Sequence, residues 1–271
     1  MSVSLGQRLV TSALLIALTA YILVYGGVFW FSVEVFVFIG LALYEFFTLL
    51  RHAKFQVYRL FGVAMGLIIP FVVFMEQGPT QAGGEILFLI LGCLFLFLLQ
   101  FSLANTHEAL VGISLTLFGI LYVSWFLSFL IKMRFLEHGV RCIAYLLAVT
   151  KAGDVGAFSI GTPFGRHPLI AHISPKKSVE GFVGALAAAT LASILFNQVL
   201  SLGFGPLHAL VLGLLIGVIG QVGDLSESLM KRSCGAKDSG GLLPGMGGVL
   251  DAVDSILFTA PIFYFHLKVL L

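Results

Sequence analysis

Residues Gln221–Ser255 read QVGDLSESLMKRSCGAKDSGGLLPGMGGVLDAVDS, and the reading of this run decides the rest. It holds three Lys or Arg residues, seven glycines and four of the chain's five aspartates: Asp224, Asp238, Asp251 and Asp254. Around it lies a chain of 271 residues that is 59% hydrophobic and only 10% charged, with a mean hydropathy of +1.07. Soluble domains carry about 25% charged residues. A charge set among apolar helices is costly unless it is paired, hydrated or bound to an ion. The run is therefore a polar site retained between two apolar helices. The fold class that accommodates it is an all-α polytopic membrane protein with a polar cavity opening to the cytoplasm.

Working outward, apolar stretches at 9–25, 28–50, 58–75, 86–104, 110–131, 139–158, 179–200, 206–232 and 249–270 predict about nine transmembrane helices. Breaks fall at Gly26-Gly27, at Arg51–Arg59, at 77–84 and at 105–108. Arg8 ahead of an apolar stretch imitates a signal peptide. No small-residue cleavage pattern follows and further spans come at once, so the stretch reads as a retained first helix. With the N-terminus inside, Arg8, the group Arg51, Lys54 and Arg59, the group Arg166, Lys176 and Lys177, and the group Lys231, Arg232 and Lys237 all fall on the cytoplasmic side. Lys132, Arg134 and Arg141 fall on the other side, so either a span is miscounted or these cations serve another purpose. The protein is expected to be integral to the cell (inner) membrane, in contact with the lipid bilayer, its active site facing the cytoplasm. A net charge of +2 gives no footing for nucleic acid as a partner. Cys93, Cys142 and Cys234 are odd in number and widely spaced, which suits apolar filler rather than a disulfide framework or a zinc site.

By chemistry the chain divides at residue 150. Residues 1–150 contain no aspartate and read as N-terminal transmembrane helices for packing, with a possible oligomer contact such as a homodimer. Glu34 and Glu45 fall inside one of these spans and face either a cavity or such a contact. Residues 151–271 read as the C-terminal catalytic transmembrane region.

Its polar residues lie in three segments. In the first, Lys151 and Asp154 are three apart on a helix, so they share a face. They form either a local ion pair or one wall of a cavity. The second runs Ile173-Ser174-Pro175-Lys176-Lys177-Ser178 to Glu180-Gly181. Ser-Pro suits an N-cap and first helical residue, which would put helix N–H groups and two lysines in one place that attracts phosphate. The plainer alternative is a basic loop against anionic lipid heads. Upstream, residues 161–166 read as a flexible polar loop. The third segment is the opening run. Asp224, Glu227, Ser228 and Lys231 recur at helical spacing as one polar stripe, and Asp251 and Asp254 share a face at the start of the last helix, beside Ser255. Carboxylates from two helix ends suit a hard divalent cation, and Mg²⁺ typically takes one or two carboxylates together with substrate phosphate oxygens. Glycines, lysines and an arginine between them suit a phosphate-bearing ligand. A purely structural network of acids and bases is the alternative.

Together Lys231-Arg232, Lys237-Asp238-Ser-Gly, Leu243-Pro244-Gly, Gly247-Gly248 and Asp251-x-x-Asp254, with Asp154-x-Gly-Ala-Phe, Gly161-x3-Gly165 and Ser174-Pro175-Lys176-Lys177 upstream, resemble the signature of phosphatidate cytidylyltransferases, the CDP-diacylglycerol synthases. The likeness covers residues 150–255 in motif and the earlier helices in character. The family pattern usually carries His where Met246 stands and Arg where Ala252 stands, both of them hydrogen-bond donors that could hold a phosphate. The resemblance implies the reaction of CTP with phosphatidic acid to give CDP-diacylglycerol and pyrophosphate. It implies Asp224, Asp251 and Asp254 as holders of one or two Mg²⁺ ions. Lys231, Arg232 and Lys237 would bind phosphates, with Asp238 orienting Lys237 or a metal-bound water. Lys176, Lys177, Ser174, Ser228 and Asp154 complete the substrate-binding set. The competing readings are a CTP-dependent polyprenol or lipid kinase and a secondary transporter.

Overall fold

The computed structural model describes residues 5–76, 83–102 and 107–270. Among them nine helical rods follow one another: α1 (Leu5–Tyr25), α2 (Gly27–His52), α3 (Arg59–Met75), α4 (Gly84–Phe101), α5 (Ala109–Arg134), α6 (Gly139–Phe164), α7 (Val179–Val199), α8 (Pro206–Ser233) and α9 (Val249–Leu270). The expected breaks at 77–84 and 105–108 lie largely outside the described residues. Seven of the rods are long and apolar enough to cross a bilayer. The other two are shorter: the apolar part of α1 is Val10–Tyr25, and α3 is Arg59–Met75. At 1.5 Å per residue such helices reach about 25 Å, less than a hydrocarbon core of about 30 Å. The protein is all-α and polytopic, with one short hairpin among the described residues.

The chain forms two compact units. The first comprises residues up to Phe135 together with Cys234–Ala252, and the second comprises Leu136–Ser233 with the residues from Val253 on. Helix α9 thus gives its first residues to one unit and the remainder to the other.

In the first unit the packing follows from what each span cannot do by itself. Pro70 lies inside α3 and lacks the N–H that would bond the Gly66 carbonyl one turn earlier. Water is not at hand to satisfy that carbonyl. The Ser124 hydroxyl of α5 donates to it instead. Ser124 belongs to a π-helical turn, Ile120–Trp125, inside α5, and such turns re-aim side chains at a cost in hydrogen-bond geometry. Large rings fill the space left by glycines: a Cβ at Gly62 would collide with the Phe47 ring, and one at Gly119 with the Phe46 ring.

One of the troublesome cations has a local explanation in this unit. Lys132 forms an ion pair with Glu85 of α4 and lies over the Phe129 ring, and Trp125 Nε1 donates to the same carboxylate at 3.2 Å. Lys132 therefore serves packing and is no guide to orientation.

The second unit is built on a seam of small residues. A Cβ on Gly156 would strike Ala188 and the Gly184 backbone, and one on Gly184 would lie 2.6 Å from Ile160. Small faces let two membrane helices approach closely enough for dispersion to hold them together. The seam also explains a departure from the sequence reading. Residues 161–164, expected as a flexible loop, continue α6, because Gly161 packs against Gly181 of α7.

A second departure concerns Ser174-Pro175. These residues do not open α7. Strand β1 (Pro168–Ile170) pairs antiparallel with β2 (Ser174–Ser178), and the N-cap of α7 is Ser178, whose Oγ accepts the Gly181 N–H at 3.1 Å. Proline is tolerated in so short a two-stranded ribbon, where an edge needs no donor.

Candidate active site

Each unit holds its own polar cluster. In the second unit, α6, α8 and α9 bring acids and lysines together in matched pairs. Lys151 Nζ lies 2.9 Å from Asp154 Oδ2 and 3.1 Å from Ser255 Oγ, which donates to Asp154 at 3.0 Å. Lys177, at the end of β2, lies 2.7 Å from Asp224 Oδ1 of α8. Lys231 pairs with Glu227 one turn before it, and the Glu227 side chain is 0% exposed. Asp254, buried on α9, accepts the Ser255 N–H and feels the charges of Asp224, Lys151, Asp154 and Glu227. A small residue makes this possible, since a Cβ on Gly223 would lie 2.5 Å from the Asp254 carbonyl.

The hairpin is held by α7 at its start and by α8 at its turn. Glu180, in the first turn of α7, accepts the Arg166 and His167 N–H groups at 3.1 and 3.3 Å and lies 2.7 Å from His167 Nδ1. Arg232 Nε donates to the Ile173 carbonyl at 3.4 Å. Lys176 is exposed, and Ser174 and Ser228 are half-buried.

In the first unit the loop from Cys234 to Gly248 folds on Asp251. Asp251 Oδ2 accepts Ser239 N–H at 3.0 Å, Ser239 Oγ–H at 2.7 Å and Gly248 N–H at 2.7 Å. The last of these is the reach-back of a third helical residue to its N-cap. Gly235, Gly245 and Gly247 take positive φ values of 67°, 84° and 101°, which the turns require and other residues resist. Lys237 and Asp238 are exposed. Cys234 is partly buried, and burial pushes its thiol up, so its thiolate fraction at neutral pH is reduced.

The expected site residues thus fall into two sets. Asp154, Ser174, Lys176, Lys177, Asp224, Ser228, Lys231, Arg232 and Asp254 belong to the second unit, and Lys237, Asp238 and Asp251 to the first. Among the described residues no group of three or more His, Cys, Asp or Glu side chains is disposed as a metal-ligand cluster. The donor set is nevertheless all hard oxygen, and Mg²⁺ needs only one or two carboxylates when phosphates supply the rest. The residues fit the ion in kind.

Sequence reasoning left four participants out of the site. Lys151 and Glu227 were visible as charges at helical spacing from Asp154 and Lys231. Ser239 carried no signal of its own. Glu45 did: its cost inside an apolar span marked it, without saying what it meets.

A model of the cytidylyltransferase family matches residues 6–270. The chain belongs to the cytidylyltransferase family. It is similar to the phosphatidate cytidylyltransferase of Synechocystis, 31% identical with 98% of this chain and 97% of the relative covered. It is also similar to that of Bacillus subtilis, 32% identical with 98% of each chain covered. A third, from Brucella suis, is 33% identical over 96% of this chain and 92% of its own. In this chain Met246 accepts the Ser12 hydroxyl at 3.4 Å, and Thr11 Oγ1 donates to the Pro244 carbonyl at 2.9 Å. Met246 and Pro244 thus anchor α1 to the loop.

Proposed function

We propose that the protein is a phosphatidate cytidylyltransferase of the inner membrane, working on its cytoplasmic side. The supporting observation is that a chain similar over nearly its whole length to proteins of that name pairs the lysine of its Ser-Pro-Lys-Lys segment with Asp224 of its long motif. In the reaction a phosphate oxygen of phosphatidic acid attacks the α-phosphorus of CTP. The bond from that phosphorus to the bridging oxygen breaks, and pyrophosphate leaves. The lipid phosphate is already anionic near neutral pH, its second pKa being about 6, so no covalent enzyme intermediate is needed. The chain's task is to bring two polyanions together and offset their charge.

Lys177, Lys231 and Arg232 bind phosphate oxygens in the second unit, with Lys176 and Ser174 beside them on the hairpin. Lys237 is the candidate in the first. Asp224 and Asp254 would hold Mg²⁺ in the second unit, and Asp251 is the carboxylate for it in the first. When bound, Mg²⁺ would offset charge developing on the transferring and leaving phosphates. Asp154 holds Lys151 in place, and Glu180 holds the hairpin.

Purified protein supplied with phosphatidate and CTP labelled at the α-phosphate should place the label in lipid only when Mg²⁺ is present. Label entering lipid from the γ-phosphate would overturn this reading in favour of a kinase. Solute uptake into liposomes without CTP would overturn it in favour of a transporter.

A further inference from the structure

Glu45 lies well inside α2, is 3% exposed, and is flanked by the buried Leu43, Phe46 and Phe47. A carboxylate so placed needs compensation. Its partners lie some 200 residues further along the chain, in the same compact unit. Glu45 Oε2 accepts the Leu250 N–H at 2.9 Å, in the first turn of α9, and lies 3.4 Å from Ser239 Oγ. Ser239 in turn donates twice to Asp251 Oδ2. Glu45 and Asp251 therefore hold the same two things, Ser239 and the start of α9. The loop is wrapped tightly about the Glu45 carboxylate: a Cβ at Gly240 would collide with Oε1, and a Cβ at Gly248 with Oε2. Two of the motif's glycines are thus explained by an acid from the other end of the sequence.

We propose that Glu45 is a positioning residue for the transfer reaction: by anchoring Ser239 and the first turn of α9, it fixes the orientation of the Asp251 carboxylate. This rests on the reading of Asp251 as a Mg²⁺-holding group. Partners that orient a metal-binding carboxylate typically govern metal affinity or activity by roughly 10–100-fold.

Glu45→Gln keeps the shape and one acceptor oxygen but loses the charge. It should raise the Mg²⁺ concentration for half-maximal turnover by roughly 10–100-fold and leave the KM for phosphatidate unchanged. In protein without substrate, it should speed tryptic cleavage after the exposed Lys237 and weaken protection of that bond by Mg²⁺. Glu45→Asp, which keeps the charge on a shorter arm, should recover part of both effects. Should Glu45→Gln fail to fold, Ser239→Ala removes the hydroxyl between Glu45 and Asp251 while leaving the acid and its Leu250 bond in place, and it should give the same shift in Mg²⁺ dependence. Normal Mg²⁺ dependence in whichever of the two folds overturns the proposal, even if cleavage is faster, because that outcome leaves Glu45 a merely structural role. Asp251→Asn separates the two readings. If it keeps normal turnover and Mg²⁺ dependence, the reading of Asp251 fails. If it is inactive while Glu45→Gln behaves normally, only the role of Glu45 fails.

Discussion

Lys231 offers a way to separate folding from chemistry within one ion pair. Its side chain is 13% exposed and that of its partner Glu227 is 0% exposed. An exposed pair is worth about 0–1 kcal/mol, whereas removing one member of a buried pair costs about 3–5 kcal/mol, since the other charge is stranded. Lys231→Ala falls in the second class. At 2–4 °C per kcal/mol, the scaling of soluble domains of similar size, it should lower the unfolding midpoint in detergent by roughly 6–20 °C. Adding Glu227→Leu to Lys231→Met replaces the pair by apolar groups of similar size, which is commonly neutral or stabilising, so the midpoint should return. Turnover should not return. Removing one donor aimed at charge that develops in the transition state costs about 10²–10³ in rate, and on the proposed reading the double variant would still lack that donor. The assay is α-labelled CTP incorporation into lipid, run beside thermal unfolding on the same preparations. A loss under about 1 kcal/mol for Lys231→Ala would show that the pair is solvated after all. Recovery of turnover along with stability would refute a substrate role for Lys231.

Other outcomes are expected of other residues. Asp254→Asn and Asp224→Asn should abolish lipid labelling while leaving the protein in the membrane, and chelation of divalent ions should do the same to the unaltered protein; near-normal turnover in either variant at ordinary Mg²⁺ removes that residue from the metal-holding set. Ser124→Ala strands the Gly66 carbonyl that Pro70 cannot satisfy and should cost about 1–3 kcal/mol, read as a lower unfolding midpoint; combining it with Pro70→Ala should recover most of that loss. Gly248→Ala should impair both stability and Mg²⁺ dependence by driving a methyl into the Glu45 carboxylate, whereas Gly241→Ala, which has open space around it, should be close to neutral in both assays.

The helices were legible because each signal was local. The apolar stretches 206–232 and 249–270 match α8 (Pro206–Ser233) and α9 (Val249–Leu270) almost to the residue, since a change from apolar to charged composition marks where a span leaves the bilayer. The Lys231–Glu227 and Lys151–Asp154 pairs were legible for the same reason, as both lie within one helical turn. What failed was non-local. Gly161 and Pro163 are written like a loop, yet α6 continues through them because α7 presents Gly181 at that height. Ser174-Pro175 is written like a cap, yet β1 captures it as a strand. Glu45 could be seen to be costly, but nothing near it in sequence named Leu250 or Ser239. Whether an acid is stranded or well served depends on a partner that only the fold supplies.

The pairing of Asp224 with Lys177 bears most directly on how substrate would enter. An acid matched to its own lysine is not a waiting metal site, and Asp154 and Glu227 are matched in the same way. Charge balance turns this into a mechanism of exchange. A nucleotide triphosphate arriving with its divalent ion offers anions to lysines and a cation to carboxylates. On the proposed reading, Lys177 would trade Asp224 for a phosphate oxygen as Asp224 trades Lys177 for the ion, and neither half-buried charge would be left alone. On that reading, the pair would guard the carboxylate until nucleotide is present. Lys177→Met should then have opposite effects on two ligands. Substrate-free protein should bind Mg²⁺ more tightly than the parent, measured as a larger rise in unfolding midpoint per added Mg²⁺, because Asp224 has lost its resident cation. The KM for CTP should rise, by about tenfold if one charge-assisted contact worth roughly 1.5 kcal/mol is lost. If substrate-free Mg²⁺ binding is unchanged or weaker in Lys177→Met, the lysine is not the ion's competitor, and Asp224 serves the hairpin rather than the reaction.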